Sequence, residues 1–315
     1  MVVVLPRSAY SIVRVAKDIA RVNNWKCITG SYNPLMISEP VLLVGNPDGA
    51  FNILARCHAH NRQVWYLTTE GRVLNPELVR IANTVKPYIV ANSKYTKAKL
   101  EESGLWVDEI IPHGTRYEPL KHVPRKNIKY LYVAGYLKRK YPPESRKVIE
   151  HVSGEAVFVT TFNNPYIPYM KHVIVSVYDS KNSWFKYGEK HGICGEEVLK
   201  ILYRSAMFYL NLSTTEGFGL TILEAMSFGC IPIVLNVQPF NEFVSSECGY
   251  FYPHNGEIEE EPFGVHMIEH RHYNAEDVIE LLNKIKYDEN RAVKCLENAK
   301  KYTVKIYVKF REFFK

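Results

Sequence analysis

Two glutamates separated by seven residues, Glu216 and Glu224, carry the clearest chemical signal in the sequence. The glycine turn Gly217-Phe218-Gly219 lies between them and precedes an apolar segment typical of a helix. The first N–H groups of a helix lack intrahelical partners, so such a turn favours binding of a phosphate. Glu224 would lie roughly 7–8 Å into that helix, at about 1.5 Å per residue. A phosphate site flanked by two carboxylates predicts a nucleotide-sugar ligand, which has hydroxyls at both ends and a diphosphate between them.

The segment from Glu216 to Pro232 resembles a known family signature. Its two spaced glutamates, its Gly-Phe-Gly turn and its glycine before the next strand resemble the donor site of the retaining glycosyltransferases of family 4, which have the GT-B fold. The alternative interpretation is an ordinary strand–turn–helix whose glutamates are solvated. The Gly-x-Gly-x-x-Gly dinucleotide fingerprint and the P-loop pattern are both absent from the sequence.

The resemblance implies a role for each residue of this signature. Glu216 is expected to hold hydroxyls of the transferred sugar near the reacting carbon, and Glu224 to accept hydrogen bonds from the ribose, where a charged acceptor gives strong bonds. Glycines allow the backbone to approach a ligand without a Cβ in the way. The expected backbone contacts to the donor come from Gly217, Phe218, Gly219 and Leu220.

A basic segment after the predicted strand Lys129–Ala134 supplies candidate cations. Val133 to Tyr141 resembles the first strand and loop of the family's second domain, in which an arginine and a lysine reach the donor diphosphate. The resemblance aligns Arg139 and Lys140 with these two residues and leaves Lys138 and Gly135 as further donor-binding candidates. Ligands bind at the carboxyl ends of parallel strands, and fixed cations there stabilise charge on a leaving phosphate. We therefore expect no metal and no cofactor besides the donor; the alternative is a solvated basic loop.

The alternation of strands and helices predicts an α/β protein with parallel sheets covered on both faces. We expect two doubly wound, Rossmann-like domains facing a cleft, as in the GT-B architecture. Within the first domain, Ser93 and Gly104 predict the start and end of one helix. Gly256 to Glu261 is predicted to be an acidic surface loop. The predicted parts are an N-terminal acceptor-side domain over residues 1–120, a donor-binding domain over 128–302, and a terminal helix over 303–315 that packs back on the first domain.

The acceptor-side residues are less clearly marked. Thr69 and Glu70 follow a predicted strand, so the topology directs them toward the cleft. Glu70 is equally well explained as a residue at the start of a helix. His113 occupies a Pro-His-Gly turn near the end of the first domain, where it also fits as a turn residue that tolerates unusual backbone angles.

Composition excludes several classes of protein. With 315 residues, 46% hydrophobic and 23% charged, the chain is globular, and no apolar run approaches the ~20 residues that span a bilayer. Six scattered cysteines indicate reduced thiols in a cytoplasmic protein. A neighbouring Cys57, His58 and His60 could suggest a metal, but they cannot all converge from one helix.

The net charge of +7 is concentrated in residues 121–147 and in the tail. A basic patch attracts nucleotide phosphates, anionic lipid or nucleic acid. We expect a nucleotide-sugar partner and no nucleic acid. The basic, aromatic terminal helix could instead contact an anionic membrane peripherally.

The sequence thus predicts a retaining, metal-independent glycosyltransferase that moves a sugar from a nucleoside diphosphate to an unknown acceptor. A glycoside hydrolase also uses paired carboxylates, but it has no need of cations and glycines that favour phosphate. A sugar-nucleotide epimerase of the same architecture and a non-catalytic nucleic-acid or membrane adaptor remain alternatives, because a fold does not fix a function.

Overall fold

The first half of the chain forms a six-stranded parallel sheet. The structure is a computed structural model, and it describes residues 2–7, 10–161, 163–176 and 193–315. The strands of this half are β1 (Val3–Arg7), β2 (Lys26–Cys27), β3 (Val41–Gly45), β4 (Gln63–Leu67), β5 (Gly71–Val73), β6 (Tyr88–Ala91) and β7 (Glu109–Ile110). The strand order in the sheet is β2-β1-β3-β4-β6-β7. Strand β5 joins a different sheet.

Helices cover both faces of this sheet. They are α1 (Tyr10–Asn23), α2 (Gly49–Cys57), α3 (Pro76–Val85) and α4 (Lys94–Glu102), with a short 3₁₀ helix at Pro34–Met36. Two separate apolar clusters form the two layers, one on the side of α1 and the other under α2, α3 and α4. The predicted cap is confirmed, since Ser93 Oγ accepts a hydrogen bond of 2.9 Å from the amide of Thr96. Gly104 has the left-handed φ of +86° that ends this helix.

The second half forms a seven-stranded parallel sheet. Its strands are β8 (Ile128–Val133), β9 (Ala156–Thr160), β10 (Val173–Ser176), β11 (Ile193–Cys194), β12 (Ala206–Leu210), β13 (Ile231–Leu235) and β14 (Tyr250–Tyr252), and their order in the sheet is β11-β10-β9-β8-β12-β13-β14. Its helices are α5 (Ser145–Val152), α6 (Glu196–Ser205), α7 (Leu220–Met226), α8 (Phe240–Phe243), α9 (Ala275–Lys284) and α10 (Glu289–Ala299), with 3₁₀ helices at Lys138–Lys140, Ile167–Tyr169 and Lys300–Tyr302. The predicted class of two parallel α/β sheets is confirmed.

A third, antiparallel sheet joins the two halves. The hairpin of β15 (Ile258–Phe263) and β16 (His266–Arg271) adds to β5 of the first half. The prediction of an acidic surface loop for this segment was wrong from Ile258 onward. Its run of glutamates lacks the alternation that marks a strand, and the strand is held instead by backbone pairing and by ion pairs to Arg72 and Lys138.

The chain returns to the first half at its C-terminus. The last helical segment is a 3₁₀ helix at Val304–Phe314, and it packs against α1. Tyr307 and Phe310 are fully buried there, with Phe310 at 5.0 Å from Tyr66 between ring centroids. Gly114 lies so close to the returning chain that a Cβ would be 2.6 Å from the carbonyl oxygen of Thr303.

Within the described ranges, the structure contains no helix with the length and apolar character needed to cross a membrane.

Candidate active site

A cavity of about 300 Å³ lies between the two halves, at the carboxyl ends of strands of the second sheet. The first half contributes Ser11 and Arg14 from α1, and the segment between the sheets contributes Tyr117. The second half contributes Gly135, Lys140, Leu220, Thr221 and Glu224 among other residues. The cavity therefore contains four of the residues that the sequence assigned to the donor: Gly135, Lys140, Leu220 and Glu224.

Glu224 lies on α7, lines this cavity and is only 1% exposed. Arg14 Nη2 donates to its Oε1, and the Tyr203 hydroxyl donates to its Oε2 at 3.3 Å. Burial raises the pKa of the Glu224 carboxyl above its ordinary value, although Arg14 acts in the opposite direction. This buried carboxylate, whose ion-pair partner is Arg14, is thus held in the cavity with lone pairs left to accept further hydrogen bonds.

Glu216 forms an ion pair with Lys140, the two charged atoms being 2.7 Å apart. The hydroxyl of Ser213 also donates to Glu216 Oε1, at 3.1 Å. Burial opposes ionisation of this carboxyl, but Lys140 and Arg139 outweigh it and lower its pKa below the ordinary value. Glu216 is therefore an ionised acceptor whose position is fixed by its partners.

Arg139 links the two halves of the protein. Its Nη2 lies 2.6 Å from Glu70 Oε1, across the cleft. Burial raises the pKa of the Glu70 carboxyl, with Arg139 opposing that effect and Glu216 adding to it. The buried Arg139 Nε has no hydrogen-bond partner among the described residues. Glu70, Arg139, Lys140 and Glu216 thus form a compact cluster of alternating charge, which we call the ion cluster.

The glycine turn packs against the first half. A Cβ on Gly217 would be 2.5 Å from Thr68 Oγ1, and the Gly217 carbonyl accepts a hydrogen bond of 3.1 Å from Asn92 Nδ2. Gly219 has a left-handed φ of +107° at the start of α7. Phe218 is buried between Phe243, at 4.8 Å between ring centroids, and His113, at 5.2 Å. The close approach that requires glycine at position 217 is therefore to Thr68 of the first half.

The chain is similar in sequence to known glycosyltransferases. Residues 189–302 match the family model described as glycosyl transferases group 1. An uncharacterized glycosyltransferase of Sulfolobus islandicus rod-shaped virus 1 is 26% identical, over 98% of this chain and 99% of the relative. A stretch of 50 residues, 16% of this chain and 13% of the relative, is 44% identical to the GDP-mannose:cellobiosyl-diphosphopolyprenol alpha-mannosyltransferase of Xanthomonas oryzae pv. oryzae.

A solved structure matches the whole chain. The crystal structure of Anabaena HepE in complex with UDP and glucose has a TM-score of 0.64 at 12% identity, over 99% of this chain and 98% of that chain. Other matched structures are of longer proteins, and this chain spans between 57% and 59% of three of them. The fold is GT-B. The comparisons support a group 1 glycosyltransferase.

The remaining residues predicted from the sequence do not line the interdomain cavity. The side chain of Lys138 is 54% exposed and pairs with Glu259 and Glu261 of β15, at 3.0 and 3.1 Å. Thr69 and Glu70 line a second cavity of about 250 Å³, on the side of the hairpin. One member of the ion cluster, Lys140, thus lines the interdomain cavity, and another, Glu70, lines the second cavity.

His113 is buried beneath the glycine turn, and it lines neither of these cavities. Its Nδ1 lies 2.8 Å from the Tyr66 hydroxyl. Burial, together with the positive charge of Arg14, lowers the pKa of His113 to about 3. The imidazole is therefore neutral at physiological pH and serves as a support for Phe218.

Two residues of the site, Arg14 and Tyr203, carry no signal in the sequence that would mark them as functional. Arg14 is 210 residues from its partner Glu224, and no local pattern connects them. Tyr203 belongs to α6, whose amphipathic pattern indicates only a helix that packs on a sheet.

The histidines near Cys57 have other partners. His58 hydrogen-bonds Asn61 at 2.9 Å and the Tyr32 hydroxyl at 3.0 Å. Among the residues that the structure describes, no group of three or more His, Cys, Asp or Glu has an arrangement that could hold a metal ion.

Proposed function

We propose that the protein transfers a sugar from a nucleoside-diphosphate donor to an acceptor with retention of anomeric configuration. The observation that carries this proposal is the interdomain cavity, which is lined by the buried carboxylate of Glu224 and by Lys140, the ion-pair partner of Glu216. Such an arrangement suits a ligand with hydroxyls at both ends and negative charge in the middle. The group 1 family model and the GT-B fold agree with it.

The nucleoside would lie beside Glu224 in the cavity. Glu224 retains lone pairs beyond those used by Arg14 and Tyr203, so it can accept hydrogen bonds from ribose hydroxyls. The diphosphate would then lie along Leu220 and Thr221, where α7 begins, and beside Lys140. Next to Lys140 in the chain, the buried Arg139 Nε has no hydrogen-bond partner among the described residues, and we propose that a bound phosphate would accept from it.

The ion cluster would stabilise the charge that develops during transfer. As the bond between the sugar and the diphosphate breaks, negative charge builds up on the leaving phosphate, next to Lys140 and Arg139. Cations already fixed by Glu216 and Glu70 require little reorganisation at that moment. Glu216, kept ionised by these cations, would orient the transferred sugar through its hydroxyls.

Retention requires the acceptor to approach on the face from which the diphosphate leaves. The ion cluster lies between the interdomain cavity and the second cavity, so leaving group and acceptor can share it. Product analysis by NMR tests this directly. An α-linked donor should give an α-linked product, whereas a β-linked product would refute retention and a free epimerised sugar nucleotide would indicate an epimerase.

We also propose that donor binding needs no divalent metal, because Lys140 and Arg139 supply the positive charge. Calorimetric affinity for the nucleoside diphosphate should be the same with and without EDTA. An affinity lost on chelation and restored by Mg²⁺ or Mn²⁺ would refute this.

The similar proteins suggest different bases and sugars for the donor. HepE was crystallised with UDP and with UDP-glucose, whereas the name of the Xanthomonas relative specifies GDP-mannose. A thermal-shift screen of UDP, GDP, ADP and TDP separates these options. A nucleotide at 100 times its dissociation constant adds about 2.7 kcal/mol of stability.

A non-catalytic membrane or nucleic-acid adaptor is not favoured. Such an adaptor would need an available aromatic tail, but Tyr307 and Phe310 are buried against the first half. Any peripheral membrane contact of the tail would therefore depend on its lysines, such as Lys305 with 74% of its side chain exposed. We keep a cytoplasmic location as a proposal; Cys27, Cys57, Cys230, Cys248 and Cys295 are free thiols.

The domain division remains a proposal as well. The two parallel sheets lie on either side of residues 111–127, which agrees with a linker in this segment.

A further inference from the structure

The second cavity lies between the hairpin of β15 and β16 and the carboxyl ends of β3 and β4. It has a volume of about 250 Å³, slightly below the range of typical small-molecule sites. The first half contributes Asn46, Asp48, Thr69 and Glu70, and the hairpin contributes Phe263 and His266. Both halves of the protein are therefore needed to build it.

The hairpin is held in place by close backbone contact. Strand β16 pairs with β5, and a Cβ on Gly71 would lie 1.9 Å from the Met267 carbonyl oxygen. The two-residue turn after Phe263 has Gly264 at a φ of +61°, as such hairpins require. Arg72 pairs with Glu260, and Lys99 with Glu269, across the same junction. The wall of the cavity is thus a built part of the fold.

The chemistry of the lining selects a class of ligand. Asp48 and Glu70 are carboxylates, Asn46 and Thr69 are neutral polar groups, and no lysine or arginine of the described residues lines the cavity. An anionic ligand would meet like charge, whereas hydroxyl groups can donate to carboxylates in strong bonds. Phe263 is 67% exposed and lines the cavity, so its ring is accessible to a ligand bound there.

We propose that this hairpin cavity is the acceptor subsite and that it takes an uncharged sugar ring, stacked on Phe263 and hydrogen-bonded to Asp48 and Asn46. The inference rests on the proposed transferase function. Glu70 lines this cavity and pairs with Arg139 of the ion cluster, so an acceptor bound here lies next to the reacting centre. In the transfer, an acceptor hydroxyl oxygen forms a bond to the anomeric carbon, the bond from that carbon to the diphosphate oxygen breaks, and the hydroxyl proton passes to the leaving diphosphate.

Saturation-transfer NMR with the full chain tests the proposal. The probes are methyl glycosides of glucose, galactose and mannose, compared with glucuronate and glucose 6-phosphate. At least one neutral glycoside should bind, the two anionic sugars should bind more weakly, and Phe263→Ala should weaken the neutral glycoside about tenfold. The matched control is Ile258→Ala, on the same strand, 54% exposed and roughly 17 Å away at ~3.3 Å per residue; it should bind like the wild type.

Release of sugar from the donor into water gives the second readout. It needs the interdomain cavity but no acceptor, so Phe263→Ala and Ile258→Ala should both retain it. The proposal is overturned if no neutral glycoside binds to a protein that hydrolyses its donor, if the anionic sugars bind at least as well, or if Phe263→Ala binds like the wild type. Absence of donor hydrolysis and of nucleotide binding in the wild type would instead refute the proposed transferase function.

Discussion

The Arg14–Glu224 pair provides a quantitative test of how the interdomain cavity is built. Glu224 is 1% exposed, and Arg14 is its only ion-pair partner among the described residues. Removing one partner of a buried pair costs about 3–5 kcal/mol, because the remaining charge is left without compensation. We expect the lower end, about 3 kcal/mol, for Arg14→Met, because the Arg14 side chain is itself 18% exposed. At about 2–4 °C per kcal/mol, the melting temperature should fall by about 6–12 °C near pH 8.

The loss of stability in Arg14→Met should increase as the pH rises. Burial already raises the pKa of Glu224, and removal of Arg14 raises it further. A carboxyl with a raised pKa in the folded state destabilises the fold only where it would be ionised in the unfolded chain, above its ordinary value of 4.5. The difference between Arg14→Met and wild type should therefore be small at pH 4, grow as the pH rises, and level off above the raised pKa.

The measurement is a set of thermal melts at pH 4 and pH 8 of the wild type, Arg14→Met, Glu224→Gln and the double variant. In the Glu224→Gln background, Arg14→Met should cost much less and show little pH dependence. The matched control is Arg21→Met on the same helix, whose side chain is 63% exposed and pairs with Asp18; it should change stability by less than about 1 kcal/mol. An equal loss at both pH values, or an equal loss in the Glu224→Gln background, would refute the buried pair.

Three further predictions follow from single contacts. Lys140→Ala should lower turnover of the donor roughly 100-fold, whereas Lys138→Ala, the exposed neighbour, should leave it unchanged; equal effects in steady-state kinetics would contradict the placement of Lys140 beside the diphosphate. Gly71→Ala should increase hydrogen exchange in residues 258–271, because its Cβ would collide with the Met267 carbonyl; unchanged protection would show that the hairpin tolerates a Cβ there. The imidazole of His113, with a pKa of about 3, should show no NMR titration between pH 5 and 8; a midpoint near 6.5 would contradict its burial.

The sequence predicts the local parts of this structure well. The alternation of apolar strands and amphipathic helices indicates both parallel sheets, since each pattern is set by its own segment. The cap at Ser93 is equally local. The lysine and the two glutamates of the donor signature are similarly placed by short motifs, and the structure brings Lys140 and Glu216 into contact.

The parts that depend on distant contacts could not be predicted in this way. Arg14 contacts Glu224, which is 210 residues away in the sequence, and Glu70 contacts Arg139, which is 69 residues away. The hairpin of β15 has a strand of glutamates that is stabilised by its pairing partner and not by an alternating pattern. The need for glycine at position 217 also depends on a distant contact, because Gly217 packs against Thr68 in the other half of the chain.

The division of roles between Glu216 and Glu224 is the central claim, and calorimetry combined with turnover tests it most directly. With the nucleoside diphosphate found by thermal shift, Glu224→Gln should weaken binding by about 1.5–3 kcal/mol, the value of a hydrogen bond to a charged group. Glu216→Gln should leave that affinity nearly unchanged while lowering kcat and kcat/KM of the whole donor together. If Glu216→Gln loses nucleotide affinity as much as Glu224→Gln, the assigned roles are wrong, and if neither variant changes binding or turnover, the donor site is not in this cavity.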